Sequence, residues 1–174
     1  RHNPRDVVSV KNAIHHPWQM PPAAGQVIEI APKILWMRLP LPMTLDHVNV
    51  YALEDADGWT IIDTGMASRK TKALWQDLIN GPLAAKPSRR LIVTHHHPDH
   101  IGLAGWFQAQ GVELITTRTA WLFARMLVLD DQALPTPEAM LFYQRAGASA
   151  KLRTQKAAER PFNFCDVVAP MPPG

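Results

Sequence analysis

Leu91-Ile92-Val93-Thr94-His95-His96-His97-Pro98-Asp99-His100-Ile101-Gly102 runs from an apolar stretch straight into four histidines and an aspartate. In an extended chain, residues i and i+2 point the same way. His95 and His97 can therefore converge on one ion, with His96 facing elsewhere. Pro98 ends the extended run and sets up a turn. Asp99 and His100 follow at the start of the next helix and can reach a second ion beside the first. Imidazole nitrogen and carboxylate oxygen suit zinc, iron or manganese. The chain has eight histidines, of which four fall between His95 and His100 and none lies beyond. The pair His15-His16 carries no such signal and reads as surface or linker. His47 reads as a surface group or a support beside the site.

Upstream, Gln26 to Ile30 alternates apolar and polar residues, as a strand does. Further strands are expected at Ile34 to Leu39, Val48 to Leu53 and Trp59 to Ile62. The acidic turn Glu54-Asp55-Ala56-Asp57-Gly58 joins the last two as a hairpin. Ser68 to Asn80 reads as a helix, with Ser68 as its N-cap and Gly81-Pro82 as its end. Leu91 to Val93 is a short buried strand. A helix at Leu103 to Gln110, closed by Gly111, and a strand at Val112 to Ile115 follow. Thr119 to about Arg160 is helical in pattern, broken at Pro135 and Pro137. This order predicts an α/β (α+β layered) domain with a mixed, largely antiparallel sheet and added helices. The expected divisions are an N-terminal arm at 1–25, the layered body at 26–116, a helical insertion or lid at 117–160 and a connector at 161–174.

Composition narrows the classes. A chain of 174 residues, 47% apolar and 19% charged, folds around a core and is not disordered throughout. The excess of 18 Lys and Arg over 15 Asp and Glu gives +3, too mild to demand a nucleic acid. One cysteine, Cys165, excludes an internal disulfide framework and a zinc ribbon, and it reads as an inert thiol. No apolar run approaches a membrane span and no signal core is visible, so no membrane partner is expected and the cytoplasm is the default compartment. Position 1 is not Met, which reads as an upstream segment removed or trimmed. No glycine-rich phosphate or dinucleotide loop occurs.

The pattern H-x-H-x-D-H after a buried strand resembles the signature of the metallo-β-lactamase superfamily. It falls on His95, His97, Asp99 and His100. Two further features agree: the strand ending Ile61-Ile62-Asp63-Thr64-Gly65, and Asn49-Val50-Tyr51 at the head of the preceding strand, which is similar to the glyoxalase-II-like branch. Thr94 and Gly102 also match. The resemblance covers about residues 26 to 116. It implies the N-terminal half of an αββα sandwich with a binuclear centre of two divalent metals, zinc first and iron or manganese as alternatives. His95 and His97 would serve one metal, and Asp99 and His100 the other. Asp63 and Thr94 would support the ligands from behind, although Asp63 also reads as a strand-ending turn residue. The chemistry implied is metal-dependent hydrolysis by a metal-bound hydroxide, with Asp99 both ligand and hydrogen-bond acceptor for the nucleophile. An ester, thioester or lactone-type small molecule is the expected substrate.

The sequence departs from the family's pattern after His100. The later histidines and a bridging carboxylate are missing, since no His follows and Asp130, Asp131, Glu138, Glu159 and Asp166 lack a matching context. The expected explanation is a truncated domain whose C-terminal half is absent. The alternatives are a site shared with another chain, or a degenerate half-site. A half sandwich leaves apolar surface wet at roughly 25 cal/mol per Å², so self-association, as a homo-oligomer, is expected. Trp121, Leu122, Phe123, Met126 and Leu127, with Met140, Phe142 and Tyr143, read as core or interface, or as the lining of an apolar pocket. The basic run Arg145, Lys151, Arg153, Lys156 and Arg160 reads as a solvated face or an attractor for an anionic substrate. A nuclease of the same superfamily is the alternative activity, with nucleic acid a less favoured partner. An inactive metal-binding or structural protein is the third reading.

Overall fold

A computed structural model describes residues 17–172. His15-His16 and most of the N-terminal arm lie outside the described residues. The chain runs β1 (Ile28–Ala31), β2 (Ile34–Pro40), β3 (His47–Glu54), β4 (Trp59–Ile62), α1 (Arg69–Asn80), β5 (Ser88–Ile92), α2 (Pro98–Ile101), α3 (Ala104–Gln108), β6 (Glu113–Ile115), α4 (Arg118–Leu129), α5 (Pro137–Arg145) and α6 (Ala150–Ala158). One six-stranded sheet holds the strands in chain order. β1 to β4 form an antiparallel meander, and β5 and β6 then join in parallel. Parallel neighbours require a crossover, supplied by α1 between β4 and β5 and by α2 and α3 between β5 and β6. The sheet is thus mixed and mostly antiparallel, as the sequence pattern implies.

Strand alternation determines which face is packed. Met37 and Leu39, Val48, Val50 and Ala52, Ile61, and Leu91 point to one side and are buried. Against them α1 lays Thr71, Trp75 and Leu78, spaced four and three residues apart on one helical stripe. Phe107 of α3 meets Trp75 edge-on at 5.0 Å. The other face carries Trp36, Asn49, Tyr51 and Ile62, less buried. There Trp36 Nε1 donates to Asn49 Oδ1 at 2.9 Å, and Trp18 packs edge-on against Trp36.

Three sequence expectations need adjusting. β5 ends at Ile92, so the histidines stand on a loop beyond the strand. The helical stretch after them is split, with α2 carrying Asp99 and His100 and α3 following. Residues 161–172, read as a connector, fold back on the body. Phe164, Val168 and Met171 are buried there, Ala67 N donates to Val167 O, and Ala169 N donates to Gly102 O. Asn163 locks this segment to the α4–α5 loop by exchanging hydrogen bonds with the Gln132 backbone. α5 and α6 pack on one another and bury no residue fully. Among the described residues no helix is long and apolar enough to cross a membrane.

Candidate metal centre

The strand order places the C-terminal ends of β4 and β5 side by side, through Ile62 and Ile92. Each strand then runs into a loop: Asp63-Thr64-Gly65 after β4, and Val93 to His97 after β5. Asp63 is buried, at 5% exposure, and adopts a left-handed backbone with φ 60°. Aspartate tolerates that region better than most residues, and such a conformation persists only where its surroundings hold it. Here they do. Asp63 Oδ1 accepts from Thr94 N, and Oδ2 accepts from Thr94 Oγ1 and His100 Nδ1, each at 2.8 Å. One carboxylate thereby ties both histidine-bearing segments to the end of β4.

These bonds set tautomers. A carboxylate cannot donate, so the Thr94 hydroxyl spends its proton on Asp63. Its oxygen is then an acceptor for His95 Nδ1, 3.0 Å away. His95 and His100 are both held as Nδ1–H. This leaves Nε2 of His95 as a lone-pair donor, whereas Nε2 of His100 faces Asp99 Oδ2 at 3.2 Å and gives up its proton only when a metal replaces it. An Nδ1–H bonded to oxygen is the orientation found behind metal-ligating imidazoles. The charges follow the same contacts. For Asp63, burial alone would raise the pKa, but the bonds from His100 and from Thr94 outweigh it and hold the group below the usual carboxylate range. For His100, burial opposes the charged ring, but Asp63 and then Asp99 outweigh it and raise the pKa. His95 is lowered, by burial first and then by His100 and His97.

Thr64 supplies a second layer of support that the sequence reading did not single out. Its Oγ1 donates to His100 O and accepts from Leu103 N, while its own N–H also reaches His100 O. Trp75 Nε1 of α1 donates to Thr64 O at 2.7 Å. Gly102 has no room for a side chain: a Cβ there would lie 2.4 Å from both Gly65 O and Pro98 O. The Asp-Thr-Gly motif was the available signal for Thr64, whereas nothing in sequence marks Trp75 as its partner.

The structure brings all four candidate donors together. The His95 ring lies 4.0 Å from His100 and 4.5 Å from His97, centre to centre, and His100 Nε2 lies 3.2 Å from Asp99 Oδ2. By type and tautomer this set suits a divalent ion that prefers imidazole and carboxylate. The rings rest against one another, however. Among the described residues no three donors are disposed to hold an ion jointly. His96 turns away and stacks on Phe123 of α4 at 5.3 Å. His47, the first residue of β3, pairs with its neighbour Asp46 at 2.6 Å.

The sequence profile described as Metallo-beta-lactamase superfamily matches residues 43–137, which include the Asp-Thr-Gly loop and the whole histidine cluster. The chain belongs to the metallo-beta-lactamase superfamily. A beta-lactamase domain protein from Burkholderia ambifaria is 30% identical in a match covering 90% of this chain and 45% of that one, with a TM-score of 0.66. The "Probable metallo-hydrolase YqjP" of Bacillus subtilis is 30% identical over 83 residues, 47% of this chain and 25% of that protein. A metallo-beta-lactamase from Pontibacter korlensis, 19% identical with a TM-score of 0.50, shares the fold over 66% of this chain and 56% of its own. The chain therefore spans less than half the length of the Burkholderia structure and a quarter of the Bacillus relative.

Proposed function

We propose that this protein is a metal-dependent hydrolase of the superfamily's small-molecule branch, acting on an ester, thioester or lactone. The Asp63 carboxylate carries the reading. It is buried, holds a left-handed backbone, and spends three hydrogen bonds on the two segments that bear His95, His97, Asp99 and His100. A strand-ending turn aspartate needs none of that. The donor types suit two divalent ions, zinc first, once the rings part to admit them. His95 and His97 are to hold one, and Asp99 and His100 the other. A bound divalent ion supplies a Lewis acid and a water more acidic than bulk. Asp99 accepts a hydrogen bond from the attacking water, Thr94 and Asp63 keep Nε2 of His95 and His100 aimed forward, and Thr64 keeps α2 in place. Further ligands are to be supplied from outside these four residues.

The test is metal content per chain by elemental analysis after gel filtration, together with hydrolysis of p-nitrophenyl acetate and an acyl thioester. About two ions per chain are expected, with a marked loss in His97→Ala and loss of hydrolysis in chelator. Full-rate hydrolysis by His97→Ala in chelating buffer would sink the proposal. Metal near zero without turnover would instead favour an inactive half-site, a reading supported by the absence of three jointly disposed donors among the described residues.

A further inference from the structure

α4 begins beside the histidine loop. Val93 N donates to Ile115 O at 3.0 Å and Thr116 Oγ1 donates to Val93 O at 2.9 Å, so the end of β6 is fastened to the root of the cluster. Thr117 then caps α4. Ala120 and Ala124, one turn apart, are buried and let the helix lie close to the body. The opposite stripe presents Thr119, Leu122, Phe123, Met126 and Leu129, all exposed. No charge interrupts it between Thr119 and Leu129. Arg125 lies off the stripe, over the Trp121 ring at 5.0 Å and bonded to Met171 O.

This stripe is continuous with the site. Ring contacts run from His100 to His95 at 4.0 Å, to His97 at 4.5 Å, to His96 at 5.0 Å and to Phe123 at 5.3 Å. The last contact is a near-parallel stack, at 29° between planes, and it fixes where the Phe123 ring stands. An uncharged apolar ridge starting at a hydrolytic centre suits the hydrocarbon part of a substrate. A phosphodiester would need cations along it.

We infer that the Leu122–Phe123–Met126 stripe of α4 is the acyl-binding wall of the site and that His96 is the positioning residue that holds Phe123 in it. The inference rests on the hydrolase reading above and names its substrate as an ester or thioester of an apolar acyl chain. From Phe123 to Leu129 the helix advances about 9 Å, enough for a chain of roughly eight carbons.

The experiment measures binding of sodium octanoate and sodium butyrate by calorimetry, in wild type, Phe123→Ser, His96→Ala and His96→Phe. Thermal melts confirm that each variant folds, as expected for side chains on the surface. Wild type should bind octanoate about tenfold or more tightly than butyrate. Phe123→Ser should bring the two within about twofold. His96→Ala should lose most of the preference, and His96→Phe, which can still stack, should restore it. In p-nitrophenyl esters of the same chains the loss should appear in KM and not in kcat. A wild type indifferent to chain length, or a Phe123→Ser variant that keeps the preference, overturns the inference. So does a dimer that Phe123→Ser converts to monomer with the preference intact, because the stripe would then be a contact between copies. Octanoate preference without any ester turnover keeps the wall and removes the hydrolase reading.

Discussion

Replacing Asp63 by Asn removes a charge and one acceptor while keeping the shape. The amide oxygen can still accept from Thr94 N, and Thr94 Oγ1 can turn its proton away and accept from the amide nitrogen. His100 Nδ1–H then faces a donor where it had faced Oδ2 at 2.8 Å. Hydrogen bonds to a charged partner contribute about 1.5–3 kcal/mol each, and an unsatisfied buried group costs about 1–3 kcal/mol. Discounting the bonds that the amide can rebuild, the net loss is about 2–4 kcal/mol. With a urea slope of about 2 kcal/mol per molar, the unfolding midpoint of the metal-free protein falls by about 1–2 M. His100 relieves part of the clash by moving its proton to Nε2, the nitrogen meant for metal. Metal affinity should therefore fall about 10- to 100-fold, and nitrogen NMR should show the tautomer switch. Urea titration in chelator and zinc titration of both proteins test this. A midpoint shift below about 0.2 M with unchanged zinc affinity would refute the claim that Asp63 orients the donors.

Gly102→Ala places a Cβ 2.4 Å from Gly65 O and Pro98 O and 2.7 Å from Ala67 N, all backbone. It should cost more than about 3 kcal/mol, and a melting temperature unchanged in calorimetry would contradict that packing. Gly105→Ala meets Pro170 O at 1.9 Å. It should lift residues 167–172 off α3, exposing them to limited proteolysis, and an unchanged cleavage pattern would count against this docking. Trp75→Phe keeps the ring against Phe107 but leaves Thr64 O without its 2.7 Å donor. About 1–3 kcal/mol should be lost, read as a lower urea midpoint, and no shift would deny Trp75 its role in holding the Asp-Thr-Gly loop.

Local signals explain what was legible in the sequence. Trp59 to Ile62 is bounded by a glycine turn on one side and the Asp-Thr-Gly loop on the other, and it forms the strand expected. Ser68 caps α1 as read, its Oγ accepting from Thr71 N at 3.0 Å. The i, i+2 rule assumes an extended chain, but the strand ends at Ile92 and the chain bends at His95, His96 and His97. The His96 ring touches His97 at 5.0 Å and stacks on Phe123. Long-range partners were not legible. Trp75 to Thr64, Phe123 to His96 and Val167 to Ala67 join residues that no local period relates. The segment beyond Pro161 is rich in proline and read as a connector, since nothing local shows that Phe164, Val168 and Met171 find buried places.

Those long-range contacts bear on how the candidate centre is built. Asp63 fixes Thr94 and His100, Thr64 fixes the His100 carbonyl and Leu103, Trp75 fixes Thr64, and the Val167–Ala169 segment fixes Ala67 and Gly102. Every one of these supports lies within residues 63–169, so the orientation of His95 and His100 needs no later ligand. The Nδ1 sides of His95 and His100 are then ordered before metal arrives, and affinity is limited by parting the packed rings and by the number of donors. Supplying a missing ligand from outside, as free imidazole or as a second chain, should therefore tighten metal binding by addition to a prepared set. It should do so with little change in the near-ultraviolet signal of Trp75. If metal uptake instead brought a large change in that signal, the Asp63–Thr64–Trp75 network would be a product of metal binding and not its preparation.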